Sequence, residues 1–258
     1  MADKINISVN NDNTIRIAGN CGCPTEKNSM YHAIRLFFEA SGNECPGVDI
    51  TIEKNIPIGS GLGGGSSNAA TVLKALDAMF PGSSSDTHLY ELAKAVGSDV
   101  PFFLGSPCAK VSGRGEILFP LDSRTDYCVL VAFPQPGVST AEAYSLLDSA
   151  REHGLISKTG KTGLSAGELD RAAHIYKTME PSEWRFCNDF YEVIASKRPN
   201  IKNALEKIKD AGADFASLSG SGCTVFGIFK SLQAAERAKT VLCKNYDTKI
   251  CFPLASWP

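Results

Sequence analysis

The stretch Pro57-Ile-Gly-Ser-Gly-Leu-Gly-Gly-Gly-Ser-Ser-Asn68 runs without a break into Ala69, Val72, Leu73, Leu76 and Phe80. These last residues recur at helical spacing, so a glycine-rich loop opens directly onto the N-terminus of an amphipathic helix. Five glycines fall within seven positions, at 59, 61, 63, 64 and 65. Lacking Cβ atoms, they let the backbone take left-handed conformations and approach a ligand closely. Successive N–H groups can converge there on an anion, and the helix dipole adds partial positive charge. Ser60, Ser66 and Ser67 supply hydroxyls for phosphate oxygens or for a metal-bound water. The stretch predicts a triphosphate cradle. The ordinary structural alternative is a flexible connection, or glycines kept for close packing. Five glycines cost folding entropy, however, and a mere connection beside so strongly patterned a helix has no need of them.

Spacing narrows the kind of cradle. A P-loop requires G-x-x-x-x-G-K-[ST], and no Lys follows these glycines. Gly59, Gly61 and Gly64 satisfy G-x-G-x-x-G, a weak match in a run this rich in glycine. A Rossmann unit needs a second strand after the helix, with an acidic residue at its end. Here the helix stops at Pro81-Gly82-Ser-Ser-Ser85 and a second helix runs from Thr87 to Val96, closed by Gly97.

On the N-terminal side, residues 4 to 18 alternate apolar and polar about Asn10-Asn11-Asp12-Asn13, which predicts a hairpin of two short strands. Met30, Ile34, Phe37 and Phe38 then recur at helical spacing behind the capping-type residues Asn28 and Ser29. Val48, Ile50 and Ile52 alternate as a half-buried strand. On the C-terminal side, short strands are expected near 107–111, 115–119 and 127–133, the last ending at Pro134-Gln-Pro136-Gly137. That break is the candidate domain boundary, giving units 1–133 and 134–258. Beyond it, helices are expected near 140–152, 165–178 and 188–195. A helix at 199–211, a strand at 214–218, the loop Ser219-Gly-Ser-Gly222, a strand at 223–229, a helix at 231–243 and a strand at 247–251 give an αββαβ finish.

The 258 residues, 43% hydrophobic and 21% charged, are ordinary globular values that exclude disordered, collagenous and coiled-coil classes. No stretch reaches the about 18 uninterrupted apolar residues of a membrane helix, and the N-terminus has no apolar signal-peptide core. A net charge of -2, from 26 basic and 28 acidic residues, argues against nucleic acid as a partner. Nine cysteines scattered among apolar neighbours read as reduced cytoplasmic thiols rather than a disulfide framework. Cys21-Gly-Cys23 has no second close pair and no nearby His, so a zinc site is not expected.

The segment from Pro57 to Ala70 resembles the second motif of the GHMP small-molecule kinases. Its triple glycine after Leu62 is similar to one branch, whereas relatives acting on mevalonate or homoserine usually have G-L-G-S-S-A there. Gly97-Ser-Asp99-Val-Pro-Phe-Phe103 and Gly113-Arg-Gly-Glu116 resemble that branch's G-A-D-V-P-F-F and G-R-G-E segments. Cys187-Asn-Asp189 resembles its N-D segment, and Leu218-Ser-Gly-Ser-Gly-Cys223 the third family motif. The matches keep their order from about residue 10 to residue 230.

The resemblance implies an α+β fold of two domains, the first like ribosomal protein S5 and the second a ferredoxin-like α/β unit. It implies phosphoryl transfer from ATP, with Mg²⁺, to the 2-hydroxyl of a cytidine diphosphate-linked methylerythritol in isoprenoid precursor synthesis. Pro57, Ile58, Gly59, Ser60, Gly61, Leu62, Gly63, Gly64, Gly65, Ser66 and Ser67 would wrap the triphosphate. Asp99 would take the proton of the attacking hydroxyl, although Asp before Val-Pro101 also suits a helix N-cap. The Ser219–Gly222 turn would line the cleft, or serve simply as a β connection. No acidic residue stands out as a direct Mg²⁺ ligand, so phosphate and water would hold the ion.

The family's first motif, P-A-K-[IL]-N-L, is tempting at Ala2-Asp-Lys4-Ile-Asn6, but too few residues separate Lys4 from Pro57. Lys4 is therefore expected as a solvated strand-start residue, and the segment Ile5–Arg16 resembles a later strand pair. The family's opening strands, its Lys and a Tyr-His pair are then expected to be missing, through a mis-assigned start, a shortened chain or a protein that has lost activity. An exposed sheet edge would follow, predicting poor solubility or strand-mediated pairing into a homodimer. Two further alternatives stand beside the kinase: a nucleotide-binding remnant without turnover, and a GHMP kinase for another alcohol such as homoserine or mevalonate.

Overall fold

The computed structural model describes residues 1–82, 86–153 and 165–257, so the serine run 83–85 that was expected to end a helix lies outside the described residues. The chain divides into two compact units, Met1–Ile58 with Gly63–Leu121 and Gly59–Leu62 with Asp122–Pro258.

The first unit opens with β1 (Lys4–Val9) and β2 (Ile15–Ala18), followed by α1 (Ser29–Ser41) and β3 (Val48–Glu53). The two strands expected to form a hairpin do not pair with each other. β3 lies between them, antiparallel to β1 with Ile7 opposite Ile50, and parallel to β2 with Ile17 opposite Ile50. The reason lies in the Asn10–Asn13 segment. Instead of closing a tight turn, it wraps the incoming chain: the Asn10 and Asn13 amides donate to the Gly47 and Pro46 carbonyls at 3.1 and 3.2 Å. The Asn10 side-chain amide adds a bond to Asp49 Oδ1 at 2.8 Å. β3 is also the most buried of the three, with Val48, Ile50 and Ile52 all in the core, and a central strand must bury most.

Helix α1 starts where the sequence places it, the Asn28 side chain accepting from Met30 N, and it ends at Gly42 in the left-handed region. Its stripe of Met30, Ile34, Phe37 and Phe38 packs with Val72, Leu73 and Leu76 of α2 (Gly64–Met79) and with β3. Each such side chain contributes on the order of 1.5–3 kcal/mol through burial. α3 (Asp86–Val96) and a single 3-10 turn at Pro101–Leu104 follow. The hairpin β4 (Ala109–Ser112) and β5 (Ile117–Pro120) then forms a separate two-stranded sheet.

The second unit holds β6 (Cys128–Phe133), α4 (Thr140–Glu152), α5 (Ala166–Thr178), α6 (Tyr191–Lys197), α7 (Pro199–Asp210), β7 (Phe215–Leu218), β8 (Val225–Phe229), α8 (Leu232–Leu242) and β9 (Asp247–Cys251). The strands form one antiparallel sheet in the order β7-β8-β6-β9, the split βαβ arrangement of ferredoxin-like domains. β6, grouped with the first domain when read as sequence, is an inner strand of this second sheet. Leu130 and Ala132 of β6 share one core with Ile201, Ala204, Leu205 and Ile208 of α7 and Ala235, Ala238 and Leu242 of α8. On the other face Phe215 meets Trp184, ring centroids 5.6 Å apart. All nine cysteines are unpaired. Among the described residues no helix is long and apolar enough to cross a membrane.

Candidate active site

The glycine stretch contains two differently held parts. Gly59, Gly61 and Gly63 all have positive φ, near +67°, +75° and +67°. At Gly61 the requirement is double: a Cβ would lie 2.3 Å from the Ser219 carbonyl oxygen and 2.6 Å from that of Gly222. The segment Gly59–Leu62 packs on the β7–β8 turn. The Thr224 amide donates to the Ser60 carbonyl at 3.0 Å, and Ser219 Oγ to the Gly61 carbonyl at 3.0 Å. The Ser219–Gly222 turn is thus a β connection, and it also seats half of the glycine loop. Asn188 fixes that turn, its side-chain amide donating to the Leu218 and Gly220 carbonyls at 3.0 and 2.8 Å. The Cys187-Asn-Asp189 motif carried a signal for Asn188, but only as a family pattern; its partner lies thirty positions away.

The other part is the start of α2. Gly63 is the N-cap, and no side chain caps the helix. The first internal bond runs from Ser67 N to Gly63 O at 2.8 Å, which leaves the Gly64, Gly65 and Ser66 amides as the free donors of the first turn. They are the donors an anion takes at a helix N-terminus. Gly65 is exposed, has no left-handed φ, and a Cβ on it would meet nothing closer than Ser29 Oγ at 3.7 Å, ordinary contact. Among the described residues nothing requires glycine there. Of the three serines, Ser60 is buried at 3% exposure, and Ser67 Oγ donates to the Gly64 carbonyl at 3.0 Å. Ser66 is half-buried. Pro57 and Leu62 are half-buried and Ile58 is exposed.

Asp99 stands in the turn between α3 and the 3-10 turn. The N-cap of that turn is Val100, without a side-chain hydrogen bond, so Asp99 does not cap it. Its carboxylate is exposed and accepts from Ser98 Oγ at 3.3 Å. The Gly113-Arg-Gly-Glu116 motif is the β4–β5 connection laid against this turn. Gly115 has φ +120°, and a Cβ there would stand 3.3 Å from Ser98 Cβ and 3.6 Å from Asp99 Oδ1. Glu116 closes the connection by accepting from the Arg114 amide at 2.7 Å. Its own amide and that of Arg114 hold its carboxyl below the usual range.

Lys4 forms an exposed ion pair with Glu53 at 3.3 Å, the solvated strand-start role expected of it. The side chain of its neighbour Asp3, which no sequence motif marks, is buried. Asp3 Oδ1 accepts from the Asn55 and Ile56 amides at 2.7 and 2.8 Å; Oδ2 accepts from Asn68 Nδ2 at 2.9 Å and pairs with Lys54 Nζ. Burial alone would raise this carboxyl, but the donors from Lys54, Ile56, Asn68 and Asn55 together hold it below its ordinary value. No alternation or spacing marks such a residue. Among the described residues no group of three or more His, Cys, Asp and Glu could hold a metal ion.

Residues 28–106 match the family described as GHMP kinases N terminal domain, and residues 182–248 match GHMP kinases C terminal. The chain is 37% identical over 220 residues to a 4-diphosphocytidyl-2-C-methyl-D-erythritol kinase of Treponema pallidum, covering 85% of this chain and 75% of that protein. It is 36% identical over 213 residues to the protein of the same name from Thermodesulfovibrio yellowstonii, covering 83% and 73%. The crystal structure of a 4-(cytidine 5'-diphospho)-2C-methyl-D-erythritol kinase superposes with a TM-score of 0.76 at 29% identity, over 97% of this chain and 85% of that one. A homoserine kinase from Cytophaga hutchinsonii shares the fold, with a TM-score of 0.71 at 17% identity, over 98% and 86%. With both domain descriptions matched in order and relatives this similar over most of its length, the chain belongs to the GHMP kinase family.

Proposed function

We propose that this chain transfers the γ-phosphoryl group of ATP to the 2-hydroxyl of 4-diphosphocytidyl-2-C-methyl-D-erythritol. The observation that carries the reading is the start of α2, with three free amides and an exposed glycine that packing does not require, which support the reading of a site for a phosphate chain. The amides of Gly64, Gly65 and Ser66 bind phosphate oxygens. Phosphoryl transfer demands little covalent chemistry from a protein, so catalysis there is mostly positioning and charge stabilisation. Asp99 accepts the proton of the attacking hydroxyl; its exposure leaves the carboxylate reachable by substrate. Mg²⁺ would accompany the nucleotide and offset the charge of its phosphates. The substrate follows from the relatives' activity and from the Gly113-Arg-Gly-Glu116 turn beside Asp99. The nine free thiols suit a cytoplasmic site of action, and the outer edges of β1 and β2, which pair among the described residues with β3 alone, suit strand-paired homodimers.

The test is a coupled ADP-release assay with Mg-ATP and 4-diphosphocytidyl-2-C-methyl-D-erythritol, run beside homoserine and mevalonate. Turnover confined to the first alcohol, and lost in Asp99→Asn, is the expected result. ATP binding without turnover of any alcohol would leave a nucleotide-binding remnant and overturn the proposal.

A further inference from the structure

We infer that Asp3 is a positioning residue for the nucleotide cradle, acting through both flanks of the glycine stretch without touching the nucleotide. The inference rests on the reading of the α2 start as a phosphate site. Asp3 gathers four donors onto one carboxylate. Three come from the chain just before Pro57, namely Lys54 Nζ and the Asn55 and Ile56 amides; the fourth, Asn68 Nδ2, lies just after Ser67. The Asp3 side chain is only 1% exposed and that of Lys54 15%. Asn68 is itself buried, on the first turns of α2. One carboxylate therefore fixes the distance between the residues entering the glycine stretch and those leaving it.

The clamp also reaches the free amides. A Cβ on Gly64 would stand 3.4 Å from Lys54 Nζ and 3.0 Å from Ile56 Cγ2. Gly64 thus rests on the two residues that Asp3 holds in place. A run of glycines has many backbone states to lose when it binds a ligand. Fixing its ends beforehand lowers that cost, the general advantage of a preorganised site. A charged group is needed because the clamp contains a largely buried ammonium that must keep a partner. Asp3→Asn keeps the shape and the acceptor for the two amides, but turns an NH₂ group toward Lys54 and Asn68, so donors face donors.

The experiment measures binding of the fluorescent nucleotide mant-ADP, with Mg²⁺, to the full chain, together with KM and kcat for ATP and KM for the alcohol. Asp3→Asn is expected to weaken mant-ADP binding at least tenfold and to raise KM for ATP to match. The alcohol KM and kcat at saturating ATP should stay within twofold. Asp3→Asn combined with Asn68→Asp, which exchanges acceptor and donor between the two positions and keeps one carboxylate in the clamp, is expected to recover most of the affinity. If Asp3→Asn does not accumulate folded, Asn68→Ala frees the far flank while keeping the ion pair, with at least fivefold weaker binding expected. A wild type that binds mant-ADP while a folded Asp3→Asn, or Asn68→Ala in its place, binds equally well overturns the inference alone. So does a variant whose thermal midpoint falls while its affinity is unchanged. A wild type that binds no mant-ADP removes the nucleotide reading first, and this inference with it.

Discussion

Replacing Gly65 by Ala is expected to move folding stability and nucleotide affinity in opposite directions. Gly65 has no left-handed φ and lies in the first turn of α2, where a Cβ meets only Ser29 Oγ at 3.7 Å. A glycine in such a place weakens the helix, and Ala at a compatible position stabilises by about 0.4–1 kcal/mol. For a chain of this size that raises the thermal midpoint by about 1–4 °C. The same methyl group sits beside the free amides. Losing one charge-assisted bond to a phosphate oxygen costs about 1.5–3 kcal/mol, a roughly 10- to 100-fold rise in Kd. Calorimetric titration with ADP and Mg²⁺, alongside a thermal melt without nucleotide, reads both quantities. An unchanged Kd would place the phosphates elsewhere, and a lowered midpoint would show that the glycine serves packing after all.

Asp99→Asn should lower kcat by roughly 10²–10⁴, the range of a lost general base, with ADP affinity kept; a parallel loss of binding would point to a structural role instead. Asn188→Ala withdraws the donors to Leu218 O and Gly220 O, and urea titration should show a cost of about 1–3 kcal/mol. The buried Asp3 carboxyl lies below its unfolded value, so the unfolded chain takes up its proton first as pH falls. Its stabilising contribution is whole above the unfolded pKa, about 3.9, and is lost as pH drops through the folded one. Asp3→Asn should therefore flatten the acid limb of stability against pH below about 4; an acid limb as steep as that of the wild type would refute the assignment. Phe37→Ala, in the middle of the first core, should cost about 3–5 kcal/mol by the same urea titration.

What was legible in the sequence follows the range of the physics involved. The apolar stripe of α2, the Asn28 cap of α1 and the αββαβ finish are local patterns, and the structure keeps them within a residue or three. Partner choice is not local. β1 and β2 alternate correctly, yet nothing in residues 4–18 says that β3 will come between them; that depends on Asn10 and Asn13 receiving Pro46 and Gly47. β6 looks alike whichever sheet it joins. In the site, the glycine stretch announced itself through composition. Asp3 and Asn188 did not, because a single buried acceptor or a side-chain amide on a distant turn leaves no periodic trace. Gly65 is the converse case: only its surroundings, where a Cβ would make no more than ordinary contact with Ser29 Oγ, show that packing does not call for glycine.

The insertion of β3 between β1 and β2 bears on how the chain comes off the ribosome. For a period in synthesis β1 and β2 exist without β3, and each is the other's nearest strand in the chain. A transient hairpin between them is the local solution, cheap in loop entropy, and it is not native. It must open to admit a strand that arrives after the whole of α1. Native pairing in this sheet is therefore non-local and slow by its topology. Until β3 is in place, two alternating strands present unpaired edges to any neighbouring chain. The yield of folded protein should depend on how quickly residues 48–53 follow residues 4–18.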